Sequence, residues 1–219
     1  MIFEGNNIFQ EIGSALLPMV GFAFATSASP GPVNIVSAMS GARFGVIRTA
    51  PYVLGATLGF IVILLLVGIG LGTFISTYPL LAKLLALIGA IYMLHLAYRI
   101  ARASTSKIFE DEPSASPRLI TGVIAQLINP KAWIVSISAI SIYVATSSYY
   151  ATALVVLCII FFVICALSLW SWSLLGAAFS RHPDAIRWFN LSMAALLALS
   201  IILFLQDILF GLQQVHKVK

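Results

Sequence analysis

Polar positions are sparse along this chain and cluster so that they divide it into long apolar runs. A helix needs roughly 20 apolar residues to cross the hydrocarbon core of a bilayer. Six runs reach that length: Leu16–Ala42, Pro51–Phe74, Leu80–Ile100, Leu119–Thr146, Ala151–Phe179 and Trp188–Phe210. The first and fourth are long and each is interrupted by proline. The pattern predicts an all-α membrane protein of six transmembrane helices.

The only polar stretch of any length is 101–117, with Ser, Thr, Lys, Glu, Asp and two Pro. It reads as a linker between a first three-helix repeat, 1–100, and a second, 118–219. Pro30 interrupts the first run and Pro130 the fourth, 100 positions later, while Pro51 falls opposite Ala151, where the second run of each half begins. Three spans per half invert the second half relative to the first, the inverted-repeat plan of many secondary transporters. The first helix of each repeat is then broken at proline. If Val33–Ala42 is re-entrant instead, the count falls to five and the N-terminus moves inside.

Composition agrees with the bilayer as solvent. The 219 residues are 61% hydrophobic and only 9% charged, against about 25% charged in soluble domains, and mean hydropathy is +1.05. The net charge of +5 would suggest nucleic acid in a soluble chain. Here the basic residues lie between apolar runs, where they report orientation and contact with anionic lipid. With both termini outside, the inner loops collect Arg43, Arg48, Arg99, Arg102, Lys107, Arg118, Arg181 and Arg187, and the outer side keeps Lys83, Lys217 and Lys219. That is the positive-inside bias. Met1–Glu11 has no Lys or Arg, so it lacks a signal peptide's basic start and the first run is expected to be retained. Cys158 and Cys165 lie about 10.5 Å apart along a helix at 1.5 Å per residue, too far for a disulfide. They read as small apolar residues.

The informative chemistry is Ser29-Pro30-Gly31-Pro32-Val33-Asn34. Two prolines around a glycine remove two amide donors from an apolar span. In hydrocarbon such a break survives only when buried in protein or lining a wet cavity. Asn129-Pro130-Lys131 repeats the device more gently. The half-helix after a break offers free N–H groups and a positive dipole end to a carboxylate, and carbonyls before it suit an ammonium. Two facing breaks at mid-membrane would hold a small zwitterion, of which an amino acid is the simplest. The plain alternative is that the prolines only kink packed helices. Lys131, deep in an apolar run, costs at least ~3 kcal/mol to insert. It needs a partner, either a substrate carboxylate or exposed carbonyls, unless it snorkels to an interface. Asn34, Asn129 and Gln126 are its natural hydrogen-bonding companions. Asn34 could instead cap a half-helix, and Gln126 could be interhelical glue.

Proton coupling has few candidates. Asp207 is the only acid inside an apolar run, and His95, more ordinary as a neutral hydrogen-bonded side chain, is the other. Gly55 and Gly59 form a GxxxG pair that suits close packing within a protomer or across a homodimer. Tyr78, Tyr98, Tyr149, Tyr150, Trp170, Trp172 and Trp188 sit near run ends and read as interfacial anchors.

Ala28–Asn34 (ASPGPVN), the basic turn around Arg43 and Arg48, Leu54–Phe60 (LGATLGF) and the Leu87–Arg99 stretch together resemble the first half of the LysE/RhtB amino-acid exporter family. Ile128–Trp133 (INPKAW) is similar to that family's second signature, and the resemblance covers essentially the whole chain. It implies efflux of amino acids or close derivatives across the bacterial inner membrane, driven by proton antiport, with no cofactor and no enzymatic activity. Cysteine and O-acetylserine exporters look nearest, and the scarcity of intramembrane acids suits a neutral cargo, since a cationic one would want a buried carboxylate. The family pattern has a second Asn where this chain has Val33. A metal-cation exporter of the same superfamily would need clustered His, Cys, Asp or Glu. A membrane thiol carrier would need one thiol in each half. A packing subunit would leave the cost of Lys131 unexplained. The expected site is Ser29, Gly31, Asn34, Gln126, Asn129 and Lys131, framed by Pro30, Pro32 and Pro130. Rocking of one half against the other would expose it to each side in turn.

Overall fold

The computed structural model describes residues 2–71 and 117–179, with single helical positions at 91, 188, 191, 192, 195 and 199. Within these the protein is all-helical. Six α-helices follow one another: α1 (Ile2–Ala28), α2 (Pro32–Phe44), α3 (Val46–Leu66), α4 (Leu119–Leu127), α5 (Pro130–Ala139) and α6 (Tyr150–Phe179). Single π-helical turns extend α3 over Val67–Leu71 and α5 over Ile140–Val144. The expected third and sixth spans, most of the 101–117 linker, His95 and Asp207 lie outside the described residues.

Three stretches are long and apolar enough to cross a membrane by themselves: Ile8–Ala28, Val46–Gly70 and Tyr150–Phe179. Leu119–Leu127 and Pro130–Val144, 69° apart, make a fourth if the bent pair is one span. The first expected run has a different shape from the one its hydropathy suggests. Helix α1 starts well before Leu16, because Asn6, Asn7, Gln10 and Glu11 dilute hydropathy without breaking a helix. It is already of spanning length when it ends at Ala28. Helix α3 starts five residues before Pro51, at Val46, just after Gly45, whose φ of +81° sharply reverses the chain after α2. The turn is stitched by Ser40 and Thr49, whose hydroxyls lie 2.8 Å apart, and by Thr49 Oγ1 donating to the Gly45 carbonyl at 2.9 Å.

The long helices show two faces. On α6 the buried residues Ala153, Leu157, Phe161, Cys165, Leu169, Ser173 and Gly176 recur every three or four positions, one stripe of a 3.6-residue helix. Between them Val155, Ile159, Val163 and Leu167 are exposed, as lipid-facing side chains would be. Helix α2 differs: nine of its thirteen residues are buried, so protein surrounds it on nearly every side.

Glycines set the closest helix approaches. A Cβ on Gly55 would land on the Leu119 carbonyl, and one on Gly122 would meet the Tyr52 carbonyl, so α3 and α4 touch backbone to backbone. Likewise a Cβ on Gly41 would collide with Ser173 and one on Gly176 with the Ala38 carbonyl, locking α2 on α6. Lipid offers little hydrophobic force between helices, so such close packing is what holds them. Gly59 packs on Val123 and Gln126. The GxxxG pair is thus used inside the protomer.

Candidate functional site

The end of α1, the start of α2 and the α4–α5 break converge on one place. Lys131 Nζ, from the second break, donates to the Ser29 carbonyl at 2.8 Å and to Ser29 Oγ at 2.7 Å in the first. The Ser29 hydroxyl in turn donates a hydrogen bond to the Thr26 carbonyl at 3.0 Å. Two breaks 100 residues apart are therefore joined by a single side chain.

The carbonyls that the breaks release are nearly all satisfied. Ser27 O accepts from Asn34 Nδ2 at 2.7 Å and from Ser168 Oγ at 2.8 Å. Ala28 O accepts from Trp172 Nε1 at 3.2 Å, and Leu127 O from Trp133 Nε1 at 2.8 Å. This is what an apolar surrounding demands, because an unmatched carbonyl there costs several kcal/mol. It also changes the sequence expectation. An ammonium cannot simply settle on the carbonyls before a break, since side chains from α2, α5 and α6 already occupy them.

The two half-helix starts differ. Asn129 caps α5, its side chain accepting from the Lys131 backbone N–H at 3.2 Å. Helix α2 begins at Gly31 with Pro32 in its first turn and has no side-chain cap. Pro32 has no N–H to satisfy, which leaves the amides of Val33 and Asn34 at a positive dipole end. The Lys131 ammonium lies beside this end: a Cβ on Gly31 would sit 3.4 Å from both Lys131 Cδ and Nζ. Gly31 therefore lies against the lysine, at a distance where even a Cβ would make ordinary van der Waals contact. Positive charge and bare amides gather at α2, and they suit an anion.

A small cavity of about 30 Å³ opens here. Its polar wall is Thr26, Ser27, Asn34, Gln126, Asn129 and Lys131; its apolar wall is Val33, Phe60, Ala132, Val135, Cys165 and Leu169. Among the described residues no carboxylate lines it. Gln126 and Asn129 are buried and joined by an amide contact of 3.4 Å, Asn129 Nδ2 to Gln126 Oε1.

A sequence profile of the family described as LysE type translocator matches residues 24–215. The chain belongs to this family. Among similar proteins, the cysteine/O-acetylserine efflux protein of Escherichia coli strain K12 is 28% identical over 179 residues, covering 80% of this chain and 90% of that relative. Its namesake from Salmonella typhimurium is 26% identical over 185 residues, covering 83% and 90%. No solved structure matches the chain.

In this LysE-type translocator all six residues expected from the sequence meet at the breaks. Asn34, Gln126, Asn129 and Lys131 line the cavity, Ser29 binds Lys131, and Gly31 abuts it. Pro32 and Pro130 each stand at the start of a helix. Sequence reasoning missed Thr26 and Ser27, small polar residues just before the first break, and Phe60, Leu169 and Cys165, which nothing in an apolar run sets apart. Trp172 read as an interfacial anchor, yet its indole N–H serves the Ala28 carbonyl at the break.

Proposed function

We propose that this translocator exports a small neutral amino acid or close derivative, of the cysteine and O-acetylserine kind named for its relatives, across a bacterial inner membrane. The observation that carries the reading is the Lys131 ammonium beside the uncapped start of α2. A substrate carboxylate would take the Lys131 bonds now made by Ser29 and accept from the Val33 and Asn34 amides. The substrate ammonium would turn to the side-chain amide oxygens of Asn34 and Gln126, because the carbonyls before the breaks are already occupied. With no carboxylate among the described residues that line the cavity, a cationic side chain would meet no partner among them.

The transport cycle we propose is alternating access, coupled to inward movement of protons, in a chain of two inverted repeats with both termini outside. Three features support the repeat: a helix end before Pro32 and before Pro130, a proline in the first turn after each, and a long unbroken helix next in both halves. Side chains now close the cavity to about 30 Å³, room for about two waters, so the substrate enters only when the breaks part.

The test is efflux from proteoliposomes loaded in turn with cysteine, O-acetylserine, threonine, homoserine, leucine, lysine and arginine, with and without a pH gradient. One neutral subset should move, faster with the gradient, and Lys131→Ala should abolish that movement in protein that remains monodisperse. Normal efflux by Lys131→Ala refutes the carboxylate clamp.

A further inference from the structure

If a carboxylate rests against Lys131 and α2, the substrate side chain faces the opposite wall. We infer that Phe60 on α3 sets the upper size limit for that side chain, an inference that rests on the amino-acid reading of the site. Of the apolar wall, Val33, Ala132 and Val135 belong to the helices that start at the breaks. Those helices are joined across the breaks mostly by side-chain bonds, which can exchange partners. Phe60 lies on a helix that runs without a break from Val46 to Leu66.

Its ring is also backed from behind. Phe60 stacks on Phe161 with centroids 4.8 Å apart and planes 28° from parallel. Phe161, fully buried on α6, meets Phe22 edge-on at 6.4 Å. A cavity of about 30 Å³ must widen to admit any amino acid, and the broken ends can move apart more readily than two unbroken helices tied by stacked rings. Phe60 is then the wall that stays, and the face of its ring is where a longer side chain stops.

The experiment measures efflux of a homologous series (alanine, 2-aminobutyrate, norvaline and norleucine) from proteoliposomes carrying wild type, Phe60→Leu, Phe60→Ala or Phe161→Leu. Wild type should show a chain length beyond which kcat/KM falls. Both Phe60 variants should raise the first excluded member relative to alanine, by about 10- to 200-fold for one methylene. Phe161→Leu, which leaves Phe60 in place but unsupported, should move the limit the same way by less. Leu65→Ala, on the exposed face of α3, should leave it alone. An unchanged limit in both Phe60 variants, or a wild type that moves all four members equally, overturns the inference and leaves the export reading standing. A wild type that moves none of the four but moves cysteine or O-acetylserine overturns the size limit alone, and one that moves neither set overturns the export reading itself. Phe60→Leu keeps most of the packing volume and carries the comparison if Phe60→Ala does not fold.

Discussion

Replacing Gly176 with alanine puts a methyl group against the Ala38 carbonyl, well inside van der Waals contact. The neighbour is backbone, so no side chain can rotate aside and α2 and α6 must part. Parting on the order of 1 Å forfeits a quarter to a half of each contact's dispersion energy along the seam. Overpacking of this kind costs typically 1–3 kcal/mol, and a rigid backbone neighbour puts Gly176 at the upper end. Alanine returns up to about 1 kcal/mol through its better helix propensity, leaving a net loss of about 2 kcal/mol. Gly21 on α1 is the control, since nothing lies within 4 Å of a Cβ there, and Gly21→Ala should gain up to about 1 kcal/mol. The two variants should therefore differ by about 3 kcal/mol, on the order of 6–12 °C in melting temperature for a chain of this size. The assay is the temperature at which half of the detergent-solubilised protein leaves the monodisperse peak. Equal melting of the two variants, or a more stable Gly176→Ala, would refute the claim that α2 is held on α6 by backbone contact.

Further tests address single contacts. Asn129→Ala should cost about 1 kcal/mol through loss of the α5 cap, and Asn129→Asp, which keeps the accepting oxygen, should recover most of it in the same melting assay. Tyr150→Phe removes the hydroxyl bonded to the Gly68 carbonyl and should cost about 1 kcal/mol without altering substrate choice. Glu11 Oε1 holds Ser147 Oγ at 2.6 Å and the Ser148 N–H at 3.0 Å, so Glu11→Gln should speed hydrogen–deuterium exchange across residues 145–149. Cys165 lines the cavity, whereas Cys158, seven residues earlier, lies one residue off the buried stripe of α6 and is partly exposed. A transported substrate should therefore slow maleimide labelling of Cys165 while leaving Cys158 unchanged.

Pro30, Pro32 and Pro130 stand out in the sequence because proline in an apolar run has few physical meanings. It removes a donor, and in lipid the loss must be made good nearby. Lys131 stood out for the same reason, as a charge with an insertion cost. How the loss is made good could not be read. Ser168 and Trp172 reach the Ser27 and Ala28 carbonyls from more than 140 positions away, and a serine or tryptophan in an apolar helix carries no mark of the carbonyl it will meet. Phe60 and Cys165 were hidden more completely, since a wall residue and a lipid-facing residue can be chemically identical. Helix starts were misplaced where hydropathy and helicity part company. The polar first turns of α1 are helical without being apolar, and Gly45 rather than Pro51 decides where α3 begins.

The glycine contacts also limit how the site can open. Gly41 and Gly176 join α2 to α6, and Gly55 and Gly122 join α3 to α4. Each pair takes one helix from the residues before the linker and one from those after it. Rocking of the first half as a body against the second would pull both contacts apart, at the cost of backbone packing that lipid does not replace. The proposed motion that preserves them, and the Phe60–Phe161 stack between α3 and α6 as well, keeps α2, α3, α4 and α6 together and parts the end of α1 from the start of α5, which opens the space between the two breaks. That space holds the Lys131–Ser29 bonds, with Lys131 on α5 and Ser29 at the end of α1. Under the proposed function these are the bonds that a substrate carboxylate would replace. In that proposed motion the hinge would be the pair of breaks and the seam the cavity. The stiff parts are cross-linked by glycines whose only feature is the lack of a side chain.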